Sequence, residues 1–431
     1  MQSGIVMLTS SMSSPPAKKI RVNGSTLSST RDVCIVGVAR TPCGSLQGKL
    51  SALKASDLAG IAIKEAITRA GVQPSDVEEL VLGHVIPAGA GQAPAKQAAV
   101  SAGLPQSVVC SSVNKVCASG MKAVMLGAQA IMLGLRDVVV VGGMESMSQT
   151  PHLSKKTRSG TKYGDLVFSD ALQTDGLFDA FENIPMGDIA EQCARENDIS
   201  REAQDAYAAE SYRRALEATK KGKFKREVVE VQVPPTRRGA APQNVTEDEE
   251  VVARPVDVAS LSKLRPCFKP SEDYGPTVTA GNASPISDGA AAVVLLSREK
   301  AQALGLESKI QAVVRGFGDA EQEPRLFTTS PSLAIPKALA NAGVEQDAVD
   351  YFEINEAFSV VACANTKLLK LDAAKVNVYG GAVAIGHPLG CSGARIIVTL
   401  CSVLHQEGGR IGCAAVCNGG GGASAVVIEK M

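Results

Sequence analysis

The sequence is poor in residues that several classes of protein depend on. It has no tryptophan, 3% aromatic residues and four histidines, and none of its 11 cysteines forms a Cys-x-x-Cys pair, so no spacing typical of a zinc site is present. Neither sign of charge prevails, because 44 basic residues balance 44 acidic ones, and the longest apolar runs are too short to span a bilayer. We therefore expect neither a nucleic-acid partner nor a membrane partner.

The cysteine content and the N-terminal tail bear on the compartment. The cysteines are dilute, odd in number and without a hydrophobic secretory signal, which favours a reducing compartment. Residues 1–31 contain no Asp or Glu and many serines, as transit peptides do, yet the first seventeen residues carry no Lys or Arg. We expect a disordered or targeting tail over 1–31 and a cytoplasmic protein, with a mitochondrial one as the alternative.

Apolar periodicity and turn residues indicate an α/β core made of two similar halves. Strand-like and helix-like segments alternate from RDVCIVGVARTP onward. The segments AIKEAITRAGV and AIPKALANAGV, which begin at Ala62 and Ala334, align without gaps, and a Ser-Gly pair that opens a helix follows in each half. We expect one half at residues 32–148, completed by 286–308, a second half at 309–431, and a loop-rich insertion at 149–285.

Cys117 is the first candidate for chemistry. In NKVCASGMKAVMLGAQAIMLG it comes two residues before an apolar helical pattern that begins near Ser119 and stops at Gly134. The N–H groups and the dipole at a helix N-terminus favour a thiolate, so the position predicts a lowered pKa and a nucleophilic sulfur. The alternative is an ordinary buried cysteine, which is common in protein cores.

Three further motifs place reactive or polar side chains beside glycines or strand ends. His387 stands among glycines in GGAVAIGHPLGCSGAR, where it could take the proton of Cys117 or simply cap a helix. Cys417 precedes the glycines of CNGGGG, whose N–H groups could bind an oxyanion or merely form a turn. Asn355 in EINEAFS could hold a water or a carbonyl group, or cap a helix.

In this order the four motifs resemble those of the thiolase family, and the similarity extends from about Asp32 to nearly the C-terminus. The resemblance implies a five-layered α-β-α-β-α fold, built from two duplicated halves with an inserted loop domain. It also implies a homo-oligomer, and the expected state is a tetramer. It is nearest to the short-chain acetoacetyl-CoA thiolases. It therefore implies an acyltransferase that reversibly condenses two acetyl-CoA into acetoacetyl-CoA and CoA through an acetyl-cysteine.

The resemblance also implies a role for each motif. Cys117 would carry the acetyl group, His387 would activate its thiol, and Cys417 would remove a proton from the second acetyl-CoA. One oxyanion site would combine His387 with a water held by Asn355. The other would use the backbone N–H groups of Cys117 and Gly419.

The binding residues that the resemblance implies lie mostly in the insertion. The pantetheine tunnel for CoA would be lined by Leu177, Met186, Phe268, Ala280, Ser284 and Phe358. Many family members have a histidine before this methionine, where the present sequence has Pro185. No cofactor is required. A structural potassium ion, which some short-chain relatives bind, would contact Tyr212, Ala280, Gly281, Ala283 and Val383.

Three alternatives stay open from the sequence. A degradative 3-ketoacyl-CoA thiolase would cleave longer chains, although the bulky Phe327 in PRLFTTSP favours a short acyl group. A CoA-binding or assembly protein without catalysis would not need the four motif side chains together. A redox protein would instead pair two of the cysteines.

Overall fold

The computed structural model describes residues 31–235, 241–253, 256–268 and 275–431, together with the backbone of two short strands near the N-terminus. The strands are β1 Ile20–Val22, β2 Ser25–Leu27, β3 Val33–Arg40, β4 Gly44–Ser45, β5 Glu79–Gly83, β6 Val109–Val113, β7 Val138–Ser146, β8 His152–Leu153, β9 Ser169–Asp170, β10 Val231–Val233, β11 Gln243–Val245, β12 Ser287–Ser297, β13 Ala312–Glu321, β14 Tyr351–Ile354, β15 Ile411–Asn418 and β16 Gly422–Lys430.

The α-helices are α1 Ala55–Ala70, α2 Pro94–Ser101, α3 Ser119–Met132, α4 Met186–Glu196, α5 Arg201–Lys220, α6 Glu249–Ala253, α7 Val258–Leu261, α8 Arg298–Ala303, α9 Pro331–Ala342, α10 Ser359–Leu368, α11 Ala382–Ile385 and α12 Leu389–Gln406. Short 3-10 helices are Pro74–Asp76, Met147–Gln149, Lys223–Arg226, Glu307–Lys309, Pro324–Thr329, Gln346–Ala348 and Ala373–Lys375, and Gln173–Leu177 is a π-helical turn. The predicted tail, residues 1–31, lies almost wholly outside the described residues. Within it the structure describes Arg31 and the backbone of β1 and β2, which pair with each other.

The main sheet repeats one strand order in the two halves of the chain. The order is β6-β5-β7-β12-β3 in the N-terminal half and β14-β15-β16-β13 in the C-terminal half. The equivalent pairs run in the same directions, since β5–β7 and β14–β15 are parallel whereas β12–β3 and β13–β16 are antiparallel. Strand β13 also pairs with β3, which joins the two halves into one sheet. The domain boundaries drawn from the sequence stay a prediction.

Five layers follow from where the helices pack. Helices α1 and α2 cover the outer face of the N-terminal strands, and α9 covers the outer face of β13 and β16. Helices α3 and α12 lie in the middle layer, where α12 contacts strands of both halves. Every residue of α12 from Leu389 to Leu404 is buried, as expected for a helix that is covered on all sides. The predicted α-β-α-β-α fold is confirmed.

Two glycines allow the middle helices to approach closely at their N-termini. A Cβ atom on Gly120 would lie 2.7 Å from the carbonyl oxygen of Gly390, and one on Gly393 would lie 2.5 Å from the backbone nitrogen of Met121. No real Cβ contact is that short, so only glycine fits at either position. The Ser-Gly pair in each half therefore lets the N-termini of α3 and α12, which follow Cys117 and His387, come into contact.

The insertion is more regular than the sequence predicted. It contains α4 and the twenty-residue α5 as well as loops. Helix α5 is polar along most of its length and is supported by pairs one turn apart, such as Arg201 with Asp205 at 2.7 Å and Arg213 with Glu217 at 2.7 Å. Such a helix has weak apolar periodicity, which is why the pattern appeared irregular.

All eleven cysteines are free thiols. Among the residues that the structure describes, no helix is long and apolar enough to cross a membrane.

Candidate active site

Cys117 lies in a tight turn between β6 and α3. The side chain of Asn114 accepts the N–H of Val116 at 2.9 Å, and Ser119 accepts the N–H of Lys115 at 2.8 Å while donating to the carbonyl of Val116 at 2.6 Å. These bonds hold Val116 at a φ of 47°, which is unfavourable for a β-branched residue. A strained turn fixed on both sides gives the Cys117 side chain little freedom.

The protonation of Cys117 differs from the expectation. Burial raises the pKa of the Cys117 thiol to about 12, although the backbone N–H groups of Gly419 and of Cys117 itself point at the sulfur and act in the opposite direction. The sequence predicted a lowered pKa from the helix terminus, and that prediction is wrong because the loss of hydration outweighs the N–H groups. At neutral pH the resting nucleophile is a thiol, so it needs a base.

His387 is held in a single tautomer by its neighbours. Its Nδ1 lies 2.6 Å from the hydroxyl oxygen of Ser392, and that hydroxyl donates its proton to the carbonyl of Pro388 at 2.9 Å. A hydroxyl has one proton, so Nδ1 must donate to Ser392 and Nε2 is the unprotonated nitrogen. Burial, together with the charge of Arg395, lowers the pKa of His387 to about 3. His387 is therefore a neutral base with a defined accepting atom.

Asn355 lies beside His387, and Cys417 lies beside Cys117. Asn355 directly follows β14, is 1% exposed, and has its Nδ2 atom 3.5 Å from Nε2 of His387. Its Oδ1 has no hydrogen-bond partner within the described part of the chain. Cys417 is fully buried near the end of β15, and burial, followed by the nearby thiol of Cys117, raises its pKa well above the usual value.

A cavity of about 500 Å³ leads to these side chains. Its lining includes Cys117, His387 and Gly419, together with all six residues predicted to contact CoA, namely Leu177, Met186, Phe268, Ala280, Ser284 and Phe358. Phe268 and Phe358 pack edge to face, with ring centroids 6.4 Å apart. The size and the mostly apolar lining suit a small-molecule site. Pro185 and Phe327 also line the cavity.

Two positions that sequence reasoning missed connect the catalytic segments. Ser392 fixes the ring of His387, and its place five residues further along the same motif was a usable signal. Lys115 donates to the side chain of Asn418 at 3.0 Å and to Ser424 at 3.3 Å, so it connects the Cys117 turn to the strands around Cys417. No sequence pattern indicates this contact, because Lys115 and Asn418 are far apart along the chain.

Further lining residues were also missed. They are mostly apolar and come from the segment before α4, from the residue before β12 and from the residue after Pro388: Leu172, Gln173, Gly176, Phe178, Ile286 and Leu389. Apolar residues in an irregular segment carry no signal that separates a cavity wall from a core.

The residues predicted for potassium come from α5, from α11 and from the turn after Thr279. Tyr212 and Val383 pack in one apolar cluster with Leu261, and a Cβ atom on Gly281 would meet the same leucine at 2.4 Å. Within the described ranges, no group of three or more His, Cys, Asp and Glu side chains could hold a metal ion. A site made of carbonyl oxygens is not tested by that observation, and the potassium site stays a prediction.

Fold and site together agree with a family assignment. The models for the N-terminal and C-terminal domains of thiolases match residues 33–299 and 308–430. The chain belongs to the thiolase family, and it is an acyltransferase.

Individual members of the family show which thiolases the chain is similar to. The chain is 55% identical over 401 residues to Acetyl-CoA acetyltransferase 2 of Arabidopsis thaliana, covering 93% of this chain and 98% of the relative. It is 54% identical over 399 residues to the cytosolic Acetyl-CoA acetyltransferase ERG10 of Gibberella zeae, covering 93% and 98%. Among solved structures it resembles the Acat5 thiolase from Ascaris suum in complex with coenzyme A, with a TM-score of 0.87 and 44% identity over 93% of this chain and 100% of that one.

Proposed function

We propose that the chain catalyses reversible acetyl transfer between CoA thioesters, converting acetoacetyl-CoA and CoA into two acetyl-CoA and the reverse. The observation that carries this proposal is the meeting of four groups at one cavity. The Cys117 thiol and the free Nε2 of His387 line it, and the Asn355 amide and the Cys417 thiol adjoin them. Its relatives named acetyl-CoA acetyltransferases support the short substrate over the longer-chain alternative.

Cleavage begins with both thiols protonated. His387 takes the proton of Cys117 on Nε2, and the sulfur attacks the keto carbonyl of acetoacetyl-CoA. The carbon–carbon bond then breaks, its electron pair becomes the enolate of acetyl-CoA, and the Cys417 thiol protonates that carbon. Cys117 is left acetylated and Cys417 is left as a thiolate.

The second half-reaction restores the resting state. Coenzyme A gives its thiol proton to the Cys417 thiolate, and its sulfur attacks the acetyl group on Cys117. The sulfur of Cys117 is expelled and takes its proton back from His387, so all protons and electron pairs balance. Condensation is the same path in reverse, with the Cys417 thiolate as the base. A raised pKa makes that thiolate a strong base.

Two sites would stabilise the negative oxygens that form along this path. The backbone N–H groups of Cys117 and Gly419, which point at the Cys117 sulfur, would receive the oxyanion of the acylated state. The Asn355 amide, acting with His387 through a bound water, would receive the enolate oxygen. Both sites rely on donors that are fixed before the substrate arrives.

The test compares CoA-dependent cleavage of acetoacetyl-CoA with that of 3-ketohexadecanoyl-CoA. We expect strong preference for the short substrate and no activity in the Cys117→Ala variant. Cys110→Ser, which changes a thiol on β6 outside the cavity lining, should behave like the unmodified protein. Equal or better cleavage of the long substrate would assign the protein to the degradative thiolases, and inactivity towards both would favour a binding protein.

We further propose that potassium binds at the positions named above. The expected result is a higher melting temperature in KCl than in NaCl of equal ionic strength, with the difference lost in Tyr212→Phe. Identical melting temperatures in the two salts would argue against the ion.

A cytoplasmic homotetramer is the remaining proposal: the name of the cytosolic relative supports the location, and the tetramer rests on the family resemblance alone. Light scattering should give the mass of four 44.6 kDa chains, and cell fractionation should place the protein in the soluble fraction without mitochondria. A monomeric mass, or enrichment with mitochondria, would contradict the respective part.

A further inference from the structure

Two buried ionisable side chains, on the elements that precede Asn355 and carry Ser392, have no hydrogen-bond partner in the described part of the chain. Glu353 on β14 and Arg395 on α12 are each 1% exposed. Both carboxylate oxygens of Glu353 and all three guanidinium nitrogens of Arg395 lack a hydrogen-bond partner among the residues described. Nη1 of Arg395 lies 3.9 Å from Oε2 of Glu353. This pair is therefore not a closed salt bridge.

Another buried arginine shows what a closed arrangement looks like in the same protein. Arg40 is fully buried and donates to Glu227 at 2.7 Å and to Asp248 at 2.6 and 2.9 Å. Buried charges without such partners are strongly unfavourable, so they persist where water or a function compensates them. A separation of 3.9 Å suits two groups that are bridged by water.

The position of the pair connects it to the catalytic side chains. Glu353 is on β14 and Asn355 directly follows it, with its N–H still donating to the carbonyl of Ala415 on β15 at 2.9 Å, so the two side chains share one face of the extended segment. Arg395 follows Ser392 by three residues on α12, so it lies on the helix face that holds the His387 ring. Oδ1 of Asn355 also lacks a partner in the described structure. The unpartnered atoms thus belong to two elements that also hold catalytic side chains, Asn355 after β14 and the ring of His387 through Ser392 on α12.

We propose that Glu353 and Arg395 are positioning residues for the acyl transfer: they bind buried water that supports the Asn355 amide from behind, and they keep a positive charge beside His387. This inference rests on the proposed roles of His387 and Asn355. Neither side chain lines the substrate cavity, so each would act through His387, which does line it, and through Asn355, which adjoins His387.

The charges around the pair agree with this role. Glu353 faces Arg395, Glu356, Glu227 and Arg214, and burial raises its pKa to about 8. At pH 7 it is therefore mainly neutral and leaves the charge of Arg395 uncompensated. That charge adds to the effect of burial in lowering the pKa of His387. A histidine that stays neutral in weak acid keeps its accepting nitrogen free for the proton of Cys117.

The test measures two properties over pH 5 to 8: kcat/KM for acetoacetyl-CoA cleavage, and the rate at which iodoacetamide alkylates Cys117. Arg395→Met should lower kcat/KM at least about tenfold, and any loss of the two rates in acid should begin at a higher pH than in the unmodified protein, because the charge that adds to burial in lowering the pKa of His387 is gone. Arg395→Lys retains the charge and should retain both pH profiles of the unmodified protein. Glu353→Leu removes both water-binding oxygens and should also lower kcat/KM, whereas Glu353→Gln keeps a neutral polar side chain of the same shape and should restore most of that loss at pH 7.

Leu400→Ala controls for loss of stability on the same helix. Leu400 is fully buried and apolar, so its truncation should destabilise the protein without changing either pH profile. A folded Arg395→Met protein with unchanged rates and profiles would overturn the inference. So would a high-resolution crystal structure in which Glu353 and Arg395 form a direct pair without water.

The two proposals can fail separately. If the unmodified protein does not cleave acetoacetyl-CoA, the proposed function fails, whereas the alkylation profile of Cys117 still tests the role of Arg395.

Discussion

The contact between α3 and α12 makes Gly120→Ala a sharp test of how the active site is built. The new Cβ would lie 2.7 Å from the carbonyl oxygen of Gly390 and 2.9 Å from the backbone nitrogen of Ala394. Both are backbone atoms, so the helices must separate by several tenths of an ångström. Overpacking of this kind costs about 1–3 kcal/mol, against a gain of about 1 kcal/mol from replacing glycine within a helix. The expected net loss of unfolding free energy is about 1 kcal/mol.

The kinetic effect should exceed the effect on stability. The turn before α3 carries Cys117 and the segment before α12 carries His387, so separating the helices separates nucleophile and base. A misplacement of about 1 Å can cost about a hundredfold in rate, and half of that displacement predicts about tenfold in kcat. Urea unfolding followed by circular dichroism gives the stability, and acetoacetyl-CoA cleavage gives the rate. Gly275→Ala is the control, because no atom of the described residues lies within 4 Å of the new Cβ. A Gly120→Ala protein with unchanged kcat and stability would refute the close-contact reasoning.

Three further predictions concern single side chains. Ser392→Ala should lower kcat/KM about tenfold, because the Nδ1–H of His387 loses its acceptor in a buried site; an unchanged rate would mean that the ring is held otherwise. Phe327→Ala should increase the cleavage of longer 3-ketoacyl-CoA relative to acetoacetyl-CoA, whereas Phe268→Ala should raise KM for both alike, and an unchanged ratio in the first variant would contradict the pocket role. Alkylation of Cys117 should accelerate with every pH step from 7 to 9, since its pKa is about 12, and a plateau by pH 8 would show a preformed thiolate.

The family and its candidate residues could be predicted from short motifs because each motif is local. A cysteine before a helix, a histidine among glycines and an asparagine after a strand are features of consecutive residues. In the structure, one cavity is lined by Cys117, His387 and Gly419 and by the six residues expected to contact CoA. Their roles in the reaction remain proposals that the variants above test.

Properties that depend on burial were not predictable in the same way. The helix terminus at Ser119 suggested a lowered pKa for Cys117, yet the sulfur is buried and its pKa is raised. Burial is set by α12 and by the strands of the other half of the chain, none of which adjoins Cys117 in sequence. The contacts of Lys115 and of the pair formed by Glu353 and Arg395 were not predictable for the same reason, because they join segments that are remote in sequence.

The sequence by itself determined the alternation of strands and helices, the duplicated halves, and the reactive side chains at the ends of elements, since periodicity and turn chemistry are written in neighbouring residues. Only the tertiary structure decided which of those ends meet. It joined the halves through β3 and β13, brought the starts of α3 and α12 into contact through Gly120 and Gly393, and removed water from the thiols. Distance and hydration arise from packing between segments that are remote along the chain, and these two quantities set the proton affinity of every group in the site.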